Sequence, residues 1–258
     1  MVKKLDFDYF PSTYHNAPNL VFIHGAGGDK TQWQEQKIFF QDLGWGVVIL
    51  SLPGHGQSVS SGSLSINKCV DEIFLLITSL GLEQVSLIGH SMGGAITLQL
   101  ALQNDKSLIK ALVLIGTGAN MYVNPIIFEL LESDFSQALQ LITKFAYDEN
   151  ALVNLKQENE NVMRNTGFRT LYEAFKACSL FDVRKEINRI TTPTLIICGE
   201  NDKMMPVKYS LYLNRNIDQS KLVTIPKTGH FVFQEASNQV NKEIHDFILN
   251  NLSSQRGV

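Results

Sequence analysis

The sequence predicts an α/β domain built on a mostly parallel central sheet flanked by helices, and three observations carry that reading. Short, continuous apolar runs at Asn19–Gly25, Trp45–Leu50, Val85–His90, Ala111–Gly116 and Thr194–Gly199 have the character of strands buried on both faces. Stretches with helical spacing alternate with them, at Lys30–Leu43, Ile66–Leu80 and Met92–Gln103. The length of 258 residues, with 44% hydrophobic and 18% charged side chains, suits one large domain with a substantial core.

Taken in order, the first ten residues follow Lys3 and Lys4 with Asp6 and Asp8 among aromatics, so they lack the apolar stretch of a secretory signal. The run Asn19–Gly25 leads into a glycine-rich loop, His24-Gly25-Ala26-Gly27-Gly28. Gly44 and Gly81 stand just past two of the helical stretches, where a left-handed terminating residue is commonly needed. From about Ala119 to Arg189 the alternation stops, and helical patterning with Asn, Gln and Glu clusters continues without a buried strand. A segment of that length reads as a helical insertion over the carboxyl ends of the strands, where ligands bind in such folds. A last strand is expected at Leu222–Ile225 and a closing helix at Glu235–Leu252. The domain assignment is therefore a core of residues 1–118 and 189–258, with an insertion at 119–188.

Composition excludes several classes. With 22 Lys plus Arg against 25 Asp plus Glu, the net charge is −3 and no basic run offers a footprint for nucleic acid. The longest apolar runs fall short of the roughly 20 residues of a membrane span, so no membrane insertion is expected. Cys69, Cys178 and Cys198 are odd in number and scattered, which suits reduced thiols in a cytoplasmic protein. His15, His55 and His245 have no metal-binding spacing, and no metal or cofactor is predicted. Oligomeric state is left at monomer or homodimer.

The most specific chemical signal is Gly89-His90-Ser91-Met92-Gly93-Gly94, between a buried strand and the helical pattern that starts at Met92. A serine at such a sharp strand-to-helix turn needs small residues two positions away on either side, which Gly89 and Gly93 provide. The helix start aims free backbone donors at the space above Ser91. A serine hydroxyl needs a base, itself oriented by a third group. His230, behind Gly229 after the last strand, and Asp202, after Thr194–Gly199, are the candidates, and Glu200 competes with Asp202. The amides of Ala26 and Met92 form the natural pair of oxyanion donors. Phosphate-binding readings of the glycine loop fail on spacing, because Lys30 stands where a dinucleotide fingerprint needs its third glycine.

Together the strand-HGxGG loop, the GHSMGG turn, the GENDKMMP segment and the GHF ending resemble the α/β-hydrolase fold superfamily over nearly the whole chain. Within it the chain is most similar to compact lid-bearing esterases, with related carbon–carbon bond hydrolases and cofactor-free haloperoxidases close by. The resemblance implies a Ser91-His230-Asp202 triad, an oxyanion hole at Ala26 and Met92, and a helical lid inserted after the sixth strand. His24, Gly25, His90 and Phe231, which border the motifs, are candidates to contact substrate. Ser51 departs from the family, which often has an acidic residue at that point.

The expected activity is hydrolysis of small to medium apolar carboxylic esters through an acyl-enzyme on Ser91. Carbon–carbon hydrolysis or perhydrolysis with the same triad is the alternative; the former would call for an arginine near Ser91, from Arg164, Arg169 or Arg184. A third alternative is a ligand-binding signalling module that retains the fold. Trp33 is assigned to helix packing, and among Met121, Tyr122, Phe128, Phe135, Phe145, Phe168, Phe175 and Phe181 two or three are expected to reach substrate.

Overall fold

A computed structural model describes residues 5–14, 17–59, 62–103 and 108–256, with side chains to residue 251; His15 lies outside the described residues. Seven strands form one sheet: β1 (Phe7–Phe10), β2 (Asn19–Ile23), β3 (Gly46–Leu50), β4 (Val85–His90), β5 (Ile109–Ile115), β6 (Thr194–Gly199) and β7 (Ser220–Ile225). Their spatial order is β1-β3-β2-β4-β5-β6-β7, parallel except where β1 runs antiparallel to β3.

The β2 register explains the apolar runs. Leu20 and Phe22 face one side of the sheet, with Trp33, Phe40, Val240 and Ile244. Val21 and Ile23 face the other, with Val70, Ile73, Ile96 and Leu213. The first layer is α1 (Gln34–Asp42), entered through a 3-10 turn at Lys30–Trp33, and α10 (Ser237–Arg256), preceded by the single turn α9 (Val232–Glu235). The opposite layer is α2 (Ile66–Ser79), α3 (Met92–Gln103) and α8 (Val207–Asn216). Trp33 is fully buried and stacks on Phe233 with ring centres 4.2 Å apart, so it packs the first layer.

The helical stretch between β5 and β6 contains α4 (Pro125–Ser133), α5 (Phe135–Ala146), α6 (Val153–Thr166) and α7 (Phe168–Ser179). Its two ends meet, since Val183 N–H donates to Ala119 O (2.7 Å) and Asn120 bridges Asp182. It has its own small core, with Leu131, Leu139, Ile142, Met163 and Leu171 at its centre. The position expected for this insertion, after a sixth strand, is corrected. Among the described residues only β1 precedes β2, so the insertion follows the fifth strand. β1 itself escaped the sequence reading because it is a half-buried edge strand of alternating acidic and aromatic residues, not an apolar run.

β1 also compensates for Ser51. Asp6, beside β1, accepts from Ser51 Oγ and from Gln57 N–H, each at 3.3 Å, and pairs with Lys30 Nζ at 2.7 Å. A carboxylate absent from the loop in sequence is thus delivered to it in space. Partial burial is the largest single influence on Asp6 and opposes ionisation, but the hydrogen bonds from Lys30, Gln57 and Ser51 and the Lys30 charge together outweigh it and hold the carboxyl below its ordinary range.

Candidate active site

Ser91 sits at the turn between β4 and α3 with φ +53, a left-handed conformation that costs a residue with a Cβ about 1 kcal/mol or more. The surrounding glycines explain how the turn closes. A Cβ on Gly89 would run into the carbonyl oxygen of Gly93, and one on Gly93 into the carbonyl of Ile23. The turn is pinned further by Ser91 N–H to Ile115 O (2.9 Å) and by Thr117 Oγ1 to Ser91 O (2.9 Å).

His230 follows β7 and Asp202 follows β6, so adjacent strand ends bring them together: His230 Nδ1 donates to Asp202 Oδ2 at 2.8 Å, with both residues buried. That bond fixes the proton on Nδ1 and leaves the lone pair on Nε2. Asp202 is itself held rigid, because its other oxygen accepts from the amides of Met204 (2.9 Å) and Met205 (2.8 Å). Glu200, its sequence rival, turns outward and accepts from Lys227 N–H. Ser91, His230 and Ala26 line one cavity of about 210 Å³. Met121, Ile127, Ile142, Phe145, Phe175 and Met204 supply much of its apolar wall, most of them from the insertion. Met92 opens α3, where the first amides have no acceptor within the helix.

His24, Gly25, His90 and Phe231, expected at the substrate, are not among the residues that line this cavity. His24 is fully buried; its Nδ1 donates to Gly25 O (2.7 Å) and its Nε2 accepts from Leu52 N–H (2.8 Å). His90 Nε2 donates to His230 O (3.1 Å), and Gly25 packs on the His90 ring. Phe231 stacks on Tyr147 with centres 4.9 Å apart. Burial excludes the charged form of each imidazole: it pushes His24 down to about 4 and holds His90 well below the ordinary histidine range. His55, its ring centre 5.0 Å from that of His24 and tilted to it, is pushed down to about 3 by burial and by its neighbour.

Sequence reading missed the bracing behind His230. Its amide donates to Ala146 O (2.7 Å), at the end of α5. Glu235 accepts from Gly229 N–H and Asp148 N–H, each at 3.0 Å, and Asn201 Nδ2 reaches Asp148 Oδ2 (2.7 Å). Gly229 has to be glycine because a Cβ would meet the backbone of Tyr147 and Asp148. The GHF motif was legible; its partner at Tyr147-Asp148 had no signal of its own, being an ordinary helix exit in the sequence.

None of the three arginines expected near Ser91 lines the cavity. Arg164 pairs with Glu160 and Arg184 with Asp182, both at the surface. Of the expected aromatics and Met121, the cavity takes Met121, Tyr122, Phe145 and Phe175, whereas Phe181 packs in the core. Among the described residues no group of three His, Cys, Asp or Glu could hold a metal ion, and no helix is long and apolar enough to cross a membrane.

Known proteins agree with this architecture. The chain is 28% identical over 245 residues to putative esterase/lipase 2 of Mycoplasma genitalium, covering 92% of this chain and 91% of the relative. It is 27% identical over 256 residues to a 2-hydroxy-6-oxononadienedioate/2-hydroxy-6-oxononatrienedioate hydrolase of Cupriavidus pinatubonensis, covering 91% and 88% respectively. Its fold matches an esterase from Exiguobacterium antarcticum with a TM-score of 0.89 at 20% identity, over 95% of both chains. Residues 15–237 match the family described as serine aminopeptidase, S33, and the chain belongs to that family: it is a serine hydrolase of the α/β-hydrolase fold superfamily.

Proposed function

We propose that this hydrolase is a carboxylesterase for small to medium apolar esters, acting through an acyl-enzyme on Ser91. One observation carries the reading: Ser91 and His230 open onto the same apolar cavity, with His230 already oriented by Asp202 at 2.8 Å. His230 Nε2 takes the Ser91 proton, the alkoxide attacks the ester carbonyl, and the oxyanion rests on the Ala26 and Met92 amides. His230 then protonates the departing alcohol. Water, activated by His230 in turn, releases the acid. Helices α4–α7, residues 119–188 with their flanks, act as the lid that shapes the acyl pocket.

The wall also speaks to bond type. Among the described residues no Asp or Glu lines the cavity, so no carboxylate there would pair with the free amino group of a peptide substrate. The esterase/lipase relative from Mycoplasma genitalium supports the ester reading. The Cupriavidus relative is named for a dicarboxylate substrate; the cation that lines this cavity is Lys203, and none of Arg164, Arg169 and Arg184 does. The deciding experiment is hydrolysis of p-nitrophenyl esters from acetate to decanoate by wild type and Ser91→Ala, with a fluorophosphonate label located by mass spectrometry. Turnover lost in the variant, with label on Ser91, is the expected result. Labelling of Ser91 without turnover of any ester would overturn the substrate class while keeping the nucleophile.

A further inference from the structure

The glycine loop beside Ser91 is held from two directions. From the core, His55 Nε2 accepts from Gly27 N–H at 3.2 Å. From the insertion, Thr166 Oγ1, at the last residue of α6, donates to Gly27 O at 3.2 Å. Met163 and Leu171 close over the Gly27 Cα, where φ is +76, so tightly that a Cβ there would strike Leu171. Next along the chain, Gln32 Nε2 donates to Asn159 Oδ1 at 2.5 Å, both residues buried, and the Gln32 side chain lies against Gly28. The insertion therefore grips this loop at its backbone and at the turn that follows.

A loop of sequence Gly-Ala-Gly-Gly has almost no side chain with which to fix itself. Its amide directions are set by whatever bonds to its peptide groups, and small misplacements of a donor weaken transition-state stabilisation steeply. The peptide that carries the Ala26 N–H is bonded at Gly25 O by His24 Nδ1 (2.7 Å) and by Gly28 N–H (3.2 Å), so the loop pivots on that peptide and is trimmed from its far end. We propose that Thr166 is a positioning residue: through its bond to Gly27 O, the α6–α7 corner fixes that far end and so fine-tunes the orientation of the Ala26 amide toward the oxyanion. The insertion then acts on the chemical step as well as on substrate fit. This rests on the reading of Ser91 as nucleophile and Ala26 as oxyanion donor.

The test compares Thr166→Val, which removes the hydroxyl at nearly constant shape, with Thr166→Ser, which keeps it. Both are assayed for kcat and KM on p-nitrophenyl butyrate and for inhibition by an alkyl trifluoromethyl ketone, whose serine adduct carries an oxyanion. Thr166→Val is expected to lower kcat roughly tenfold, with KM within about twofold, and to weaken the ketone by the same factor as kcat/KM. Thr166→Ser restores both. If Thr166→Val fails to fold, Thr166→Ala provides the same deletion with better helix propensity. Wild-type kcat, a rise in KM alone, or a loss that serine does not restore would overturn the positioning role. Ser91→Ala, assayed alongside, separates the two readings: turnover retained there sinks the nucleophile, whereas an inactive Ser91→Ala beside a fully active Thr166→Val sinks the positioning role alone.

Discussion

The core half of the site and the insertion half are built by different rules. In the core, functional residues stand at strand ends, where backbone packing leaves no latitude: Gly93 backs onto the Ile23 carbonyl, Gly116 adopts φ +54 against the His230 ring, and Asp202 is clamped by two amides. In the insertion, the cavity wall is made of interchangeable apolar side chains, and Tyr122, Ile126 and Phe145 are exposed at its edge. On the proposed reading, chemistry is anchored in the rigid half, and selectivity is expected where substitution is tolerated. The difference can be broken or sharpened by substitutions on each side.

The largest effect belongs to the core. Ser91→Ala is expected to lower kcat/KM for a p-nitrophenyl ester by about 10⁴-fold or more at unchanged folding, because the members of a triad act as a unit. Asp202→Asn should come close to it, since an amide at that position can stabilise His230 in the wrong tautomer. Single substitutions at the apolar wall, such as Ile142→Phe, should instead redistribute rates among acyl chain lengths by about tenfold, as a change of one pocket group does. Competition assays with acetate and octanoate esters measure that redistribution. If Ile142→Phe abolished turnover of every ester, the division of labour would not hold.

The same division explains what could be read from the sequence. Ser91, Asp202 and His230 were legible because each requires a glycine or a strand end beside it, and such backbone constraints leave marks at fixed spacing. The choice of Asp202 over Glu200 followed from the same pattern, and in space Asp202 meets His230 while Glu200 faces outward. The insertion left no such marks. Helical periodicity announces Pro125–Ser179 as helix, but which aromatic faces the cavity depends on how four helices cross, and nothing in the spacing of Phe128, Phe135 and Phe145 encodes that. His24 and His90 fall between these cases. They border the motifs in sequence, yet both rings are buried: His24 bonds Gly25 O and Leu52 N–H, and His90 bonds His230 O.

Those inward histidines give the core an acid sensitivity that begins below about pH 6.5, above the range in which the carboxylates of the insertion, such as Asp182, titrate. His24, His55 and His90 have folded-state values below their ordinary one, down to about 4 and about 3 for the first two, so the unfolded chain binds more protons as pH falls below about 6.5. Their contribution is full above that pH and is lost as pH falls toward the folded values. Each then removes about 1.4 kcal/mol of stability per pH unit. Residues 119–188 contain no histidine. Urea unfolding followed between pH 7 and 4.5 should therefore show stability falling with a slope near three protons. Amides of β2 and β4 should lose their hydrogen-exchange protection in step with this fall. A pH-independent midpoint over that range would show that these rings are not sealed from water.

Packing tolerance should differ by a smaller margin. Gly93→Ala forces a methyl group against the carbonyl oxygens of Ile23 and His24 and is expected to destabilise by about 3 kcal/mol, as overpacking against rigid backbone does. Phe168→Ala removes a ring that is 43% exposed on the insertion and should cost no more than about 1 kcal/mol. Equal costs in thermal or urea denaturation would remove the mechanical basis of the comparison.

The smallest effect sets a limit on the insertion's role. Arg164→Ala and Arg184→Ala each break an exposed, solvent-screened ion pair on side chains outside the cavity. Turnover of a neutral ester should change by less than about twofold in either variant, since neither charge reaches the reacting carbonyl except through solvent that screens it within about 10 Å. Steady-state kinetics on p-nitrophenyl butyrate at 0.1 M salt would measure this. A tenfold fall in kcat for either variant, with the ion pair too weak to account for it, would mean that the insertion closes further over bound substrate and carries an arginine into the site. The carbon–carbon hydrolase reading would then gain the arginine it calls for, beside the Lys203 already lining the cavity.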